Sequence, residues 1–191
     1  MRKVLFFMMM SLDGYFEGPA HEIDWHNVDD EFNDFAIAQL KEVDTLLFGR
    51  VTYEMMASYW PTSEARNNDP IVAERMNSLP KIVFSRTLPR AQWENTRLVK
   101  DGFAAEVTKL KHQPGKDLII FGSSSLAVTF IEHSLLDEYR LMVNPVILGR
   151  GKTLFKGINN RLGLKLMQTR TFHSGNVLLY YEPKRNGGGF L

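Results

Sequence analysis

Val4 to Met10 is an unbroken run of seven apolar residues close to the start of the chain. A strand with one wet face alternates apolar and polar side chains, so an uninterrupted run predicts a strand covered on both faces. Such strands belong to parallel sheets layered between helices, and this one is expected at the centre of its sheet. Met1-Arg2-Lys3 ahead of the run imitates the start of a secretory leader, yet Asp13 and Glu17 follow without a small-residue cleavage site. The run also falls far short of the roughly 20 apolar residues a bilayer span requires. The expectation is a cytoplasmic protein with no membrane contact.

Further short strands are predicted over residues 45–48, 81–84, 97–99 and 118–121, separated by helical stretches, which implies crossovers and a largely parallel sheet. Phe32, Phe35, Ala36, Leu40 and Val43 recur at three- and four-residue spacing, an amphipathic helix with Asp29 or Asp30 near its start. Ser123, Ser124 and Ser125 offer N-caps to a helix carrying Leu126, Val128, Phe130, Ile131 and Leu135. Beyond it, residues 139–148, 164–172 and 177–182 read as strands linked without obvious helices, with His173-Ser174-Gly175-Asn176 as a turn. They are expected as antiparallel strands added at one edge, with Pro145 marking a bulge or an edge position. With 191 residues and 44% hydrophobic content, one domain over residues 1–182 is expected, followed by a loose tail over 183–191.

Several functions drop out on chemistry. The absence of cysteine removes thiolate metal sites, disulfides and thiol nucleophiles. A net charge of +1 lacks the field that nucleic-acid backbones reward. Charge is uneven, however: Asp13 to Asp44 holds ten acidic residues against Lys41 alone, so an anionic ligand would find its cations elsewhere. Gly149-Arg150-Gly151-Lys152-Thr153 resembles the end of a P-loop, but Val146 stands where the first glycine belongs, leaving a turn before Leu154 and Phe155 re-enter the core. His21-Glu22 with His26 has one residue too many for a zincin motif, and no metal is expected there.

What remains is a coincidence at three strand ends: Gly49-Arg50-Val51-Thr52, Ser85-Arg86 and Gly122-Ser123-Ser124-Ser125. Open α/β sheets bind ligands at the carboxyl ends of their strands. Gly49 and Gly122 would let backbone approach an anion, helix N-termini would direct N–H groups at it, and Thr52 and the serines would add hydrogen bonds. Arg50 and Arg86 would bracket a terminal phosphate.

These segments, together with Ser11-Leu12-Asp13-Gly14-Tyr15 and the stretch from Asp137-Glu138-Tyr139 to Pro145-Val146-Ile147-Leu148-Gly149, resemble the dihydrofolate reductase superfamily. The branch they look like most is the one related to the reductase domain of the bacterial bifunctional riboflavin deaminase-reductase. The likeness runs in order from about Met1 to Glu182. It implies a three-layer α/β/α fold with a mixed, mainly parallel sheet and antiparallel C-terminal strands, NADPH as hydride donor, and a homodimer. Carried over by position, Gly49, Arg50 and Thr52 match the loop for the dinucleotide phosphates, Ser85 and Arg86 the 2′-phosphate contact, and Gly122, Ser123, Ser124 and Ser125 the pyrophosphate loop. Asp13 and Gly14 match the segment beside nicotinamide and substrate. The zinc signature of the deaminase half is missing.

The resemblance implies a small heterocyclic substrate, either the 5-amino-6-(5-phosphoribosylamino)uracil of riboflavin synthesis or a pterin. A reductase of an unrelated carbonyl or imine, and a non-catalytic NADP-binding dimer, are the competing readings. Asp13 and Asp30 are the candidate proton donors, beside water; Asp13 equally suits a turn before Gly14. Trp25 and Tyr53 are candidates for packing or for stacking on substrate.

Overall fold

The computed structural model describes residues 1–184. In chain order the first elements are β1 (Val4–Ser11), β2 (Tyr15–Glu17), α1 (Asp30–Glu42), β3 (Val43–Gly49), α2 (Arg50–Tyr59), α3 (Ser63–Asn68), α4 (Pro70–Ser78) and β4 (Lys81–Phe84). They are followed by β5 (Thr96–Val99), α5 (Phe103–His112), β6 (Asp117–Phe121), α6 (Ser124–Glu132), β7 (Glu138–Asn144), β8 (Lys152–Thr153), β9 (Leu164–Thr171) and β10 (Val177–Pro183).

The unbroken apolar run becomes β1, flanked on both sides by parallel partners within an eight-stranded sheet of order β5-β4-β3-β6-β1-β7-β10-β9. Its alternate residues feed two cores. Leu5, Phe7 and Met9 pack with Phe35 and Leu40 of α1, Tyr53 of α2, and Val72 and Met76 of α4. Val4, Phe6 and Met8 face Val107 and Leu110 of α5 and Leu126, Ala127 and Phe130 of α6. The three layers therefore follow from a strand with no polar face, each buried large side chain contributing about 1.5–3 kcal/mol. No described helix is long and apolar enough to cross a membrane.

The C-terminal strands need correction in detail. Helix α6 carries the chain across the sheet, so β7 joins β1 in parallel rather than as an antiparallel addition. Within the eight-stranded sheet, antiparallel pairing begins only with β10, which lies between β7 and β9. Strand β7 ends at Asn144, so Pro145 neither bulges nor edges it: it stands where the ladder has already stopped. The turn at residues 173–176 joins β9 to β10, with Gly175 at φ +87°. Leu154 enters the core but Phe155 is 40% exposed, because the short pairing of β8 with β2 ends the segment at the surface. Pro183 closes β10 and Lys184 N–H donates to Gly163 O, so these two residues of the expected tail are held by the sheet and its neighbouring loop. The remainder of the expected tail, residues 185–191, lies outside the described residues.

Lys81 is 1% exposed at the start of β4. Its Nζ donates to the carbonyls of Met76 (2.8 Å), Asn77 (2.9 Å) and Leu79 (2.8 Å), closing the C-terminal end of α4, and it lies 4.5 Å from the Trp93 ring centroid. Burial pushes its pKa down to about 8, partly opposed by Glu94, which leaves the ammonium charged at neutral pH.

Candidate active site

Six neighbouring parallel strands end on the same edge of the sheet, and a cavity of about 1340 Å³ runs along it. Gly49, Arg50 and Thr52 line it from the β3–α2 junction, Ser85 and Arg86 from the end of β4, and Gly122, Ser123, Ser124 and Ser125 from the β6–α6 junction. Three segments far apart in sequence thus meet at one site.

Local chemistry joins them. Gly49 N–H donates to Ser123 Oγ at 3.0 Å, tying the β3 and β6 loops together. Gly122 adopts φ +62°, a left-handed turn that favours glycine, and its N–H donates to Phe7 O at 3.1 Å. Ser85 Oγ accepts from the N–H groups of Thr87 (3.2 Å) and Leu88 (3.0 Å), so its hydroxyl shapes the loop that presents Arg86. Helices α2, α5 and α6 begin at the cavity with no side-chain N-cap bond, whereas Asp29 caps α1 and Thr62 caps α3. Uncapped N–H groups directed at a cavity suit an anion.

The cations are held at the rim. Arg50 pairs with Glu54 and Arg86 with Asp101, each at 3.0 Å, in solvent-exposed contacts of the kind worth at most about 1 kcal/mol. Such pairs release their guanidinium groups easily to a phosphate. Lys100, Asp101 and Gly102 at the end of β5 also line the cavity. Sequence reading missed them, although they occupy the same position after β5 that Ser85 and Arg86 occupy after β4.

Beyond the strand ends, the cavity continues between α1, α2 and α4, where Phe32, Met56, Tyr59, Trp60, Val72 and Met76 form its wall. The residues expected to serve substrate stand elsewhere. Asp13 accepts from Gly149 N–H (2.7 Å), Leu148 N–H (3.1 Å) and Ser11 Oγ (2.7 Å), tying the β1–β2 turn to the loop after β7. The Ser11 bond is the largest influence and lowers its pKa; desolvation opposes it, and the backbone bonds from Gly149 and Leu148 add to the lowering, so this carboxylate is a poor proton source. Gly14 supplies the turn beside it at φ +89°. Asp30 is exposed in the first turn of α1. Trp25 donates from Nε1 to Glu22 O and meets the His26 ring edge-on at 4.4 Å. None of Asp13, Gly14, Trp25, Asp30 and Tyr53 lines the cavity.

Tyr53 is 3% exposed, and its hydroxyl accepts the N–H groups of Gln92 (3.0 Å) and Trp93 (2.9 Å). This places it in packing rather than substrate stacking. Tyr53→Phe leaves those two donors unpaired, with an expected loss of about 1–3 kcal/mol in urea unfolding and no change in KM for any acceptor.

His26 does line the cavity, and sequence alone offered no partner for it. Burial pushes its pKa down to about 4 against the opposing charge of Asp24, and its Nε2 is buried without a hydrogen-bond partner among the described residues. Between pH 6.5 and 4 the unfolded chain binds a proton that the folded chain refuses, so stability falls as pH drops through that window. Urea unfolding should register a loss of about 3 kcal/mol from this group by pH 4. His26→Gln should flatten that part of the profile; an unchanged slope would assign the acid sensitivity to other groups.

A mixed, mainly parallel α/β sheet, with uncapped helix starts along one edge and a mostly apolar pocket beyond them, defines a fold of the dihydrofolate reductase type. The chain belongs to the RibD C-terminal domain family, which it matches over residues 2–178. It is 38% identical over 184 residues to the uncharacterized protein YyaP of Bacillus subtilis (strain 168), covering 95% of each chain. Among solved structures, a putative riboflavin biosynthesis protein from Shewanella sp. PV-4 superposes with TM-score 0.75 at 24% identity, covering 96% of this chain and 99% of that one. The Thermotoga maritima diaminohydroxyphosphoribosylaminopyrimidine deaminase/5-amino-6-(5-phosphoribosylamino)uracil reductase gives 0.69 at 14% identity, over 95% of this chain and 56% of that one. Enterococcus faecalis dihydrofolate reductase, complexed with NADP(H), gives 0.65 at 16% identity, over 96% and 97%. The mixed, mainly parallel sheet is the fold shared with these structures.

Proposed function

We propose that the protein is an NADPH-dependent reductase that transfers hydride to a small heterocycle of the pyrimidine or pterin class. The observation that carries this reading is the continuity of a phosphate-suited strand edge with an apolar pocket in one cavity. At about 1340 Å³ it exceeds the roughly 300–1,000 Å³ of a single small-molecule site, which leaves room for a nucleotide and an acceptor side by side.

NADPH, when bound, supplies the hydride from its nicotinamide ring. In this reading Gly49, Thr52 and the loop Gly122 to Ser125 hold the pyrophosphate with backbone and hydroxyl donors, and Arg50 adds charge beside them. Ser85 positions the loop that brings Arg86, with Lys100, to the 2′-phosphate. Asp13 and Gly14 position the loops around the ring. The five sequence candidates outside the cavity take no direct part, and the acceptor's proton is assigned to water. The homodimer belongs to the same reading, supported by β9, an edge strand with Leu166 and Met167 each half exposed. Light scattering should return twice the chain mass.

The test is calorimetric titration with NADPH and NADH, followed by loss of reduced-cofactor absorbance over a panel of pterins and pyrimidines. Tighter binding of NADPH and turnover of one panel class are expected. No binding of either cofactor at millimolar concentration would sink the reading.

A further inference from the structure

We infer that the acceptor half of the cavity takes an uncharged, flat, conjugated ring that carries no phosphate. This rests on the reductase reading and narrows its substrate.

The first ground is the wall itself. Most of the residues that α1, α2 and α4 contribute to the cavity are apolar, aromatic or thioether, led by Phe32, Met56, Tyr59, Trp60, Val72 and Met76; Asn33 and Gln39 of α1 add neutral amides that suit the polar edge of a ring rather than a phosphate. Thioethers and aromatic faces suit a planar conjugated ring. A phosphate, by contrast, needs guanidinium, ammonium or convergent N–H donors once removed from water, because an unpaired buried charge is costly.

Cations are scarce on this side, and the uncapped start of α4 carries the Asp69 carboxylate and lacks an N–H at Pro70. Apart from Arg50, which stands at the opening of α2 and pairs with Glu54, no Lys or Arg of α1, α2, α3 or α4 lines the cavity among the described residues. The other lining cations are Arg86 and Lys100 at the strand edge, and Lys152, whose Nζ is 2.6 Å from Glu17 Oε1. Asp69, at the start of α4, lies in the wall and would repel an anion.

The second ground is the acidic stretch from Asp13 to Asp44, ten carboxylates against Lys41. It supplies the whole of α1 and the segment leading into it; of its ten carboxylates Glu17, paired with Lys152, is the one that lines the cavity, and the others act on an anion there only through their field. Phosphate attraction is thereby concentrated at the opposite, nucleotide half. The Thermotoga maritima reductase is named for a uracil bearing phosphoribose; the wall described here offers that phosphate no partner. For an uncharged ring, hydride would add to the carbon of a C=N or C=O bond, and the electron pair of that bond would pass to the heteroatom, which takes a proton from water.

The probes are riboflavin and riboflavin 5′-phosphate, which differ only in the phosphate, and lumichrome, the uncharged ring without the tail. Each is titrated into the full chain with the nucleotide half saturated by NADP⁺, following tryptophan fluorescence, since Trp60 lines the wall while Trp25 and Trp93 do not. We expect lumichrome or riboflavin to bind at least about tenfold more tightly than riboflavin 5′-phosphate, with the signal lost in Trp60→Phe. Met76→Lys, which adds a cation to the wall, should narrow or reverse the preference. Equal or tighter binding of the phosphate form to the unmodified chain overturns the inference, and so does failure of all three probes. Failure of NADP⁺ itself to bind, measured beforehand, would instead overturn the reductase reading.

Discussion

Arg86→Ala is expected to weaken NADPH binding by about tenfold to a hundredfold while leaving NADH within about threefold, measured by calorimetry on both cofactors. The two cofactors differ only at the adenosine 2′-position, so a residue that serves that phosphate must discriminate between them. A hydrogen bond to a charged group contributes about 1.5–3 kcal/mol, which sets the range. The present partner of Arg86 subtracts little, because the Asp101 contact is formed between two side chains that are each more than three-quarters exposed. Asp101 would itself oppose a phosphate placed beside Arg86. Asp101→Asn is therefore expected to tighten NADPH by a few-fold and leave NADH unmoved. Equal losses for both cofactors in Arg86→Ala would move Arg86 away from the 2′-phosphate and onto the shared pyrophosphate.

The largest stability effect is expected at Lys81. Lys81→Ala removes three donors from the end of α4: the carbonyls of Met76 and Leu79 lose the partner Lys81 supplies in an almost fully buried position, while Asn77 O keeps its bond from Asn95 Nδ2. Unpaired buried acceptors cost about 1–3 kcal/mol each, but relaxation and entering water recover part of it, so a loss of about 3–5 kcal/mol in urea unfolding is expected. Lys81→Met restores the packing and not the donors, so it should recover only part of that loss. The effect also reaches the site, since Val72 and Met76 of the same helix form the acceptor wall. A Lys81→Ala protein with unchanged stability would mean that the α4 carbonyls find water without help.

The strand edge was legible in the sequence because each of its pieces is a short contiguous segment following a strand. Gly49-Arg50, Ser85-Arg86 and Gly122-Ser123 announce themselves by residue type, and parallel strands deliver their ends to one edge whatever the details of packing. Tyr53 illustrates where that reasoning stops. It follows Thr52, which lines the cavity, but one residue of helix turns the next side chain by about 100°, and Tyr53 points into the core. Asp13 is another case: its partners at Leu148 and Gly149 are 135 and 136 residues away, so its capture by backbone donors leaves no local trace.

The acceptor pocket was not legible for the same reason. Its wall gathers residues from about 23 to 76 whose apolar character equally suits a core. His26 carries no nearby motif, and its pKa is set mainly by burial, which only the fold reveals.

By itself the sequence determined the layered sheet and the edge at which its strand-end segments meet, because hydrophobic periodicity and strand-end residue types act over a few neighbouring residues. The tertiary structure alone decided that β7 runs parallel to β1, that Asp13 and Tyr53 hold the scaffold, and that a mostly apolar pocket adjoins the edge where the strand ends meet. Those outcomes depend on which distant side chains packing brings together, and on which way each one faces when it arrives.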